Sequence, residues 1–168
     1  MVRILGIDPG SVKTGYGLIE SNGQQSRYVH SGYLKLPADS LASKLGEIFS
    51  QLSVVIAEHQ PEHMAIEQVF LSKNAASALK LGHARGAAMT AGVNANVEIF
   101  EYSARSVKQS TVGYGAASKE QIQHMILRLL NIRKVLQEDE ADALAVALCH
   151  AHTGLSPQYQ KNSKASLK

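Results

Sequence analysis

Short apolar blocks ending on polar turns dominate the first third of the chain. Ile4, Leu5 and Ile7 form a run too short for a helix, and Pro9-Gly10 stops it. A strand apolar on both faces belongs in the middle of a sheet that is covered on both sides. Thr14 to Ile19 resumes a β pattern, Asn22-Gly23 is a strong hairpin signal, and Arg27 to Leu36 reads as a third strand. Three sequential strands joined by short turns predict an antiparallel meander.

The period then lengthens. Leu41, Leu45, Ile48, Phe49, Leu52, Val55 and Ile56 recur at helical spacing, with Asp39 or Ser40 available as the cap and Gln60-Pro61 as the stop. Met64-Ala65-Ile66-Glu67 is a second short apolar strand ending on a carboxylate. A strand, a crossover helix and another strand predict parallel pairing with a right-handed connection. That pairing would put Glu67 beside Asp8 at one end of the sheet, where open α/β folds place their ligands. Asp-Pro-Gly is also ordinary turn chemistry, so Asp8 alone decides nothing.

Ser72 to Gly92 predicts a helix rich in Ala and Gly. Gly82 and Gly86 each cost about 1 kcal/mol of helix propensity relative to Ala. That cost points to a close neighbour, either another helix of this chain or one from a second subunit. Val97 to Tyr102 alternates as a strand with one more exposed face. A short helix through Val107, the loop Gly113-Tyr114-Gly115 and a helix opened by the capping pair Ser118 and Gln121 follow. The last helix runs from Glu138 to about His152. One domain is expected over residues 1–152, with a polar, basic, disordered tail over 153–168.

Composition narrows the class. The chain has 168 residues, 45% of them hydrophobic, and a single cysteine, Cys149, which cannot form an internal disulfide. No apolar run approaches ~18 residues and no signal-peptide pattern opens the chain, so a soluble cytoplasmic protein with no membrane span is expected. The net charge of +3 is carried by Lys161, Lys164 and Lys168 in the tail. Residues 70–119 hold Lys73, Lys80, Arg85, Arg105, Lys108 and Lys119 against Glu98 and Glu101, so this middle is +4 and the rest of the body −4. A basic middle beside an acidic remainder is compatible with a bound polyanion next to a metal-binding carboxylate cluster, and equally with solvated helix faces.

The final helix opens Glu138-Asp139-Glu140-Ala141-Asp142. Acids in a first turn are stabilised by the helix dipole whatever else they do. Asp139 and Asp142 at i, i+3 share a face; Glu138 and Asp142 at i, i+4 do too, so Glu138 could play the part of Asp139. Three elements therefore offer acids toward one place. Such acids repel, and Mg²⁺ meets their need for a counter-ion, because it takes oxygen ligands and keeps waters for phosphates. Two such ions can clamp the attacking and leaving oxygens of a phosphodiester.

Taken together, several stretches carry a resemblance. They are Ile7-Asp8-Pro9-Gly10 with Thr14-Gly15-Tyr16-Gly17, and Ala65-Ile66-Glu67-Gln68-Val69-Phe70. Lys73-Asn74-Ala75, Ala78-Leu79-Lys80-Leu81-Gly82, Glu101-Tyr102 and Val107-Lys108-Gln109 follow, and then Asp139-Glu140-Ala141-Asp142-Ala143-Leu144-Ala145. In this order, over residues 3–152, the chain resembles the bacterial RuvC Holliday-junction resolvases. The resemblance implies an α/β ribonuclease H-like fold, a five-stranded mixed sheet flanked by helices. It implies a homodimer that binds four-way junction DNA and nicks two strands of like polarity, with partnership to the RuvA–RuvB branch-migration complex. Asp8, Glu67, Asp139 and Asp142 become the Mg²⁺-binding catalytic acids, two ions per site, with Mn²⁺ able to substitute. Phe70 matches an aromatic near the junction centre; Lys108 and Lys119 match basic residues serving the active site or DNA backbone.

Three other readings stay open on the residues. Asp-x-Gly at a strand turn also opens the phosphate loop of actin-like ATPases, which need a second such domain. YqgF-type RNA nucleases share the fold and the first acid. A non-catalytic junction-binding protein would need no clustered acids.

Overall fold

A computed structural model describes residues 1–69, 74–113 and 117–155. Five strands and five helices are found there: β1 (Val2–Asp8), β2 (Lys13–Ser21), β3 (Ser26–Lys35), α1 (Leu41–His59), β4 (His63–Glu67), α2 (Ala75–Asn94), β5 (Glu98–Tyr102), α3 (Ala104–Val112), α4 (Lys119–Leu129) and α5 (Glu138–Thr153). The sheet order is β3-β2-β1-β4-β5. β1, β2 and β3 pair antiparallel as the meander predicts, while β4 joins β1 and β5 joins β4 in parallel. This is the mixed, ribonuclease H-like sheet that the resemblance implies.

The two apolar faces of β1 are both used. Leu5 and Ile7 pack in the core beneath α1 and α2 with Leu52, Ile56 and Ala88. Ile4 faces the other core, with Leu144, Ala147 and Leu148 of α5. Ser40 caps α1 by accepting from Ser43 N, and Asp39 instead accepts from Ser40 N at 2.7 Å. The helix expected from Ser72 has its described start at Ala75, where Asn74 accepts from Ala76 N and Ser77 N. The helix around Val107 is longer than expected and ends at Gly113, whose φ of 84° lets its N–H close on Gln109 O. The strand expected from Val97 begins at Glu98.

Helix α5 lies unusually close to the sheet, because the face beneath it carries glycine. A Cβ at Gly6 would stand 2.0 Å from the Ala143 carbonyl oxygen, and one at Gly15 2.0 Å from that of Asp139. Gly6 pairs in register with Gly17, and Gly15 with Asp8. The helix backbone therefore rests on the strand backbone, and its first turns reach the carboxyl end of β1. The far end of α5 is tied differently. His150, fully buried, meets Tyr102 Oη at 2.7 Å and His63 Nδ1 at 2.8 Å. Burial, with His63 adding to it, pushes the His150 imidazole down to about 3, so this link between α5, β4 and β5 is neutral.

Gly82 and Gly86 of α2 behave otherwise: among the described residues, a Cβ at either would meet no atom within 4 Å. Among the described residues, no helix is long and apolar enough to cross a membrane.

Candidate active site

Asp8 ends β1 and Glu67 ends β4. The parallel register sets Ile7 against Ile66, so the two acids follow at adjacent positions on one sheet edge. The close seat of α5 brings Asp139 and Asp142 over that edge. All four are half-buried, and they act on one another. Burial raises the Asp8 carboxyl most, and Asp142, Glu67 and Asp139 push it further, to about 8, against an opposing pull from Lys119. Glu67 is raised by burial and then by Asp142, with Lys108 opposing. Asp142 is also raised, burial first, with Glu138 and Asp139 adding and Lys119 and Lys108 opposing. A cleft of about 260 Å³ opens beside them, lined by Asp8, Pro9, Glu67, Gln68, Leu81 and Ala104.

The donor set consists of hard carboxylate oxygens with no thiol or imidazole among them, which suits Mg²⁺ or Mn²⁺ over softer ions. The side chains couple without being drawn tightly together: among the described residues, no three acids, histidines or cysteines already form a ligand cluster. A cation entering between them would replace the proton that repulsion and burial keep on Asp8.

The other expected site residues fall into distinct places. Lys119 is mostly exposed and donates to Glu138. That bond raises the lysine first of all, with Asp142 and Asp8 adding to it against burial. Glu138, 63% exposed, is thus the partner of Lys119, while Asp139 is the one of the two whose charge acts on Asp8; both act on Asp142. Lys108, on α3, is half-buried and acts on both Glu67 and Asp142. Arg105 is exposed on the first turn of α3. Lys80 is exposed on α2 and lines, with Lys44, Gly10 and Val12, a separate pocket of about 310 Å³. Phe70 and Lys73 lie outside the described residues.

Arg85 is the residue whose surroundings least resemble a free phosphate contact. Its Nε donates to the Glu67 carbonyl oxygen at 3.2 Å, and its guanidinium pairs with Glu101. It ties α2 to the ends of β4 and β5. Replacing Arg85 by Ala should therefore lower the melting temperature by about 2–4 °C, a loss on the order of 1 kcal/mol. The salt dependence of DNA binding should stay as it was; a flatter slope would return Arg85 to the DNA surface.

Glu140 has a role that the sequence reading missed. Burial would raise it, but bonds from Gln137 N, Ser31 and Lys134 together hold it below the ordinary carboxylate value. Its place three residues after Gln137 is the spacing of a capping pair, the one signal that could have found it.

A sheet edge carrying coupled carboxylates from two strands and a helix, on this topology, defines a ribonuclease H-like nuclease. Comparison with known proteins names the branch. The family model "Crossover junction endodeoxyribonuclease RuvC" matches residues 4–150, and the chain belongs to that family. A RuvC from Pseudoalteromonas atlantica is 49% identical, covering 100% of both chains. One from Syntrophotalea carbinolica is 55% identical over 90% of this chain and 94% of its own. Among solved structures, T. thermophilus RuvC in complex with a Holliday junction superposes with a TM-score of 0.86 at 30% identity, covering 92% of this chain and 96% of that one. The yeast mitochondrial Holliday junction resolvase, at 13% identity and a TM-score of 0.69, shares the fold.

Proposed function

We propose that this protein is a metal-dependent endodeoxyribonuclease that resolves four-way DNA junctions during recombination and repair. The observation that carries the reading is the meeting of Asp8 and Glu67 at adjacent strand ends with the first turn of α5, which bears Asp139 and Asp142 and is seated on Gly15. These four acids would hold Mg²⁺, two ions per site, with Mn²⁺ as a substitute. Ions bound there would polarise the scissile phosphodiester and lower the pKa of an attacking water. The chain's own residues do the rest. Lys108, whose charge opposes the upward shift of Glu67 and Asp142, serves the scissile phosphate or the DNA backbone. Lys119, held out by Glu138, offers a cation to the approaching backbone. Arg105, Lys80 and Lys73 extend the positive surface that receives phosphates, and Phe70 stacks near the junction centre.

Symmetric nicks need two sites related by a twofold axis, hence a homodimer. The exposed face of α2 supports this. Leu79 and Val93 are each 62% exposed, and Gly82 and Gly86 lie between them with none of the described residues above them. Gly86→Leu should overfill that contact and shift the protein toward monomer in sedimentation, weakening the dimer by about 1–3 kcal/mol. An unchanged dimer would move the interface elsewhere. The family resemblance adds the RuvA–RuvB complex as the partner that delivers junctions in the cytoplasm.

The direct test incubates the protein with a four-way junction and with a linear duplex of the same sequence, with and without Mg²⁺. Paired nicks confined to the junction and to Mg²⁺ are expected. Equal cutting of both substrates, or cutting without a divalent cation, would overturn the reading.

A further inference from the structure

Asp139 and Asp142 flank a third acid that points the other way. Glu140 is 7% exposed and turned toward the sheet. Its Oε1 accepts from Ser31 Oγ of β3 at 2.8 Å, and its Oε2 accepts from Gln137 N at 2.9 Å. Lys134 Nζ stands 3.5 Å from Oε1. Ser31 Oγ is in turn 3.1 Å from Tyr28 Oη, and Lys134 lies over the Tyr28 ring at 5.3 Å. Every oxygen of this carboxylate is thus engaged, and the engagement joins the first turn of α5 to the outermost strand of the meander. The seat of Asp139 on Gly15 restrains the same turn from below.

We infer that Glu140 is a positioning residue for the metal site: its carboxylate clamps the first turn of α5 to Ser31 and so fixes where Asp139 and Asp142 stand relative to Asp8. The inference rests on the metal-site reading above. Rotation of that turn would carry Asp139 and Asp142 along together, since they lie one residue before and two residues after Glu140 on a single helical turn. Groups that orient metal ligands from behind set metal affinity as well as stability.

A through-space effect of one negative charge near the cation would also weaken Mg²⁺ binding, so the variants must separate charge from contact. Glu140→Ala removes both. Glu140→Gln removes the charge but keeps an oxygen for Gln137 N and an amide that can donate to Ser31 Oγ. Ser31→Ala keeps the charge and removes the contact. The melting temperature of the full-length protein is followed against Mg²⁺ concentration, with no DNA present. The midpoint of the Mg²⁺-induced rise reports metal affinity, and the value without Mg²⁺ reports fold stability separately.

The expected midpoint shift is about tenfold for Glu140→Ala. For Ser31→Ala it is about threefold, as for loss of one hydrogen bond. Glu140→Gln should fall between wild type and Glu140→Ala, and cleavage by all three should recover at saturating Mg²⁺. If Ser31→Ala binds Mg²⁺ as wild type does while Gln and Ala at 140 are equally impaired, charge alone acts and the inference is overturned. It is overturned too if the variants lose stability without Mg²⁺ and keep the wild-type midpoint. Wild type and Asp8→Asn run alongside: absence of any Mg²⁺ response in wild type would defeat the metal-site reading itself, a result distinct from either of these.

Discussion

Asp8→Asn should abolish junction cleavage while leaving metal-free junction affinity within about twofold of wild type at pH 7. The carboxyl is pushed up to about 8 by burial and by Asp142, Glu67 and Asp139, so without metal it is mostly protonated at neutral pH. A neutral amide of the same shape replaces a mostly neutral acid, and the surface that meets phosphates hardly changes. Only the metal-bearing state loses a ligand, and that loss should exceed the roughly 100-fold that removal of a supporting group behind a ligand costs. The same shift fixes a pH signature. The folded chain keeps a proton that the unfolded chain releases above its ordinary value near 3.8. The stability contributed by that proton is present at low pH and is lost as pH rises toward about 8. The contribution of Asp8 to metal-free stability should therefore fall between pH 6 and pH 8 by on the order of 2 kcal/mol, against the opposite trend from the neutral, buried His150, so wild type should lose more, or gain less, over that range than Asp8→Asn. Adding Mg²⁺ should reverse the order, with roughly one proton released per binding event at pH 7. Melting curves across pH with and without Mg²⁺ read all of this. Parallel pH profiles for the two proteins would remove Asp8 from the coupled cluster.

Gly15→Ala should cost nearly as much activity by a different route. The added Cβ would lie 2.0 Å from the Asp139 carbonyl oxygen and 3.0 Å from its Cβ. Neither the β2 backbone nor the α5 backbone is a flexible tip, so the helix must lift. Overpacking of this kind costs about 1–3 kcal/mol. The lift falls on the turn that carries two of the four acids, and misplacement by about 1 Å is enough for a 100-fold loss of rate. The protein should stay folded, bind junctions, and cut at least about 100-fold more slowly at saturating Mg²⁺. Cleavage within a few-fold of wild type would mean that α5 can settle elsewhere without moving Asp139.

The strands and most helices were legible from pattern. Ile4 to Ile7 had to be central because both faces are apolar, and Leu41 to Ile56 had to be a helix because only a period near 3.6 groups its apolar residues. The acids were legible as strand-end and helix-start carboxylates. What pattern could not supply was every feature whose meaning depends on a distant partner. Gly6 and Gly15 look like weak points of a strand until α5, more than a hundred residues later, is laid across them. Arg85 counts as one more cation until Glu101 and the Glu67 carbonyl stand beside it. His150 closes a nearly all-apolar helix with nothing nearby in sequence to bond, because His63 and Tyr102 lie on other elements. Glu140 resembles its acidic neighbours in every respect except direction.

The order in which the chain is made gives the seat of α5 on the sheet a further meaning. Asp8 and Glu67 leave the ribosome early, on strands that can pair before the chain is finished. Asp139 and Asp142 arrive last, and they reach the edge only when α5 drops onto Gly6 and Gly15. Contacts of such long sequence separation form late. On the proposed reading, a nascent chain that has not yet seated α5 presents Asp8 and Glu67 without Asp139 and Asp142, so the seating of α5 is the step that completes the site.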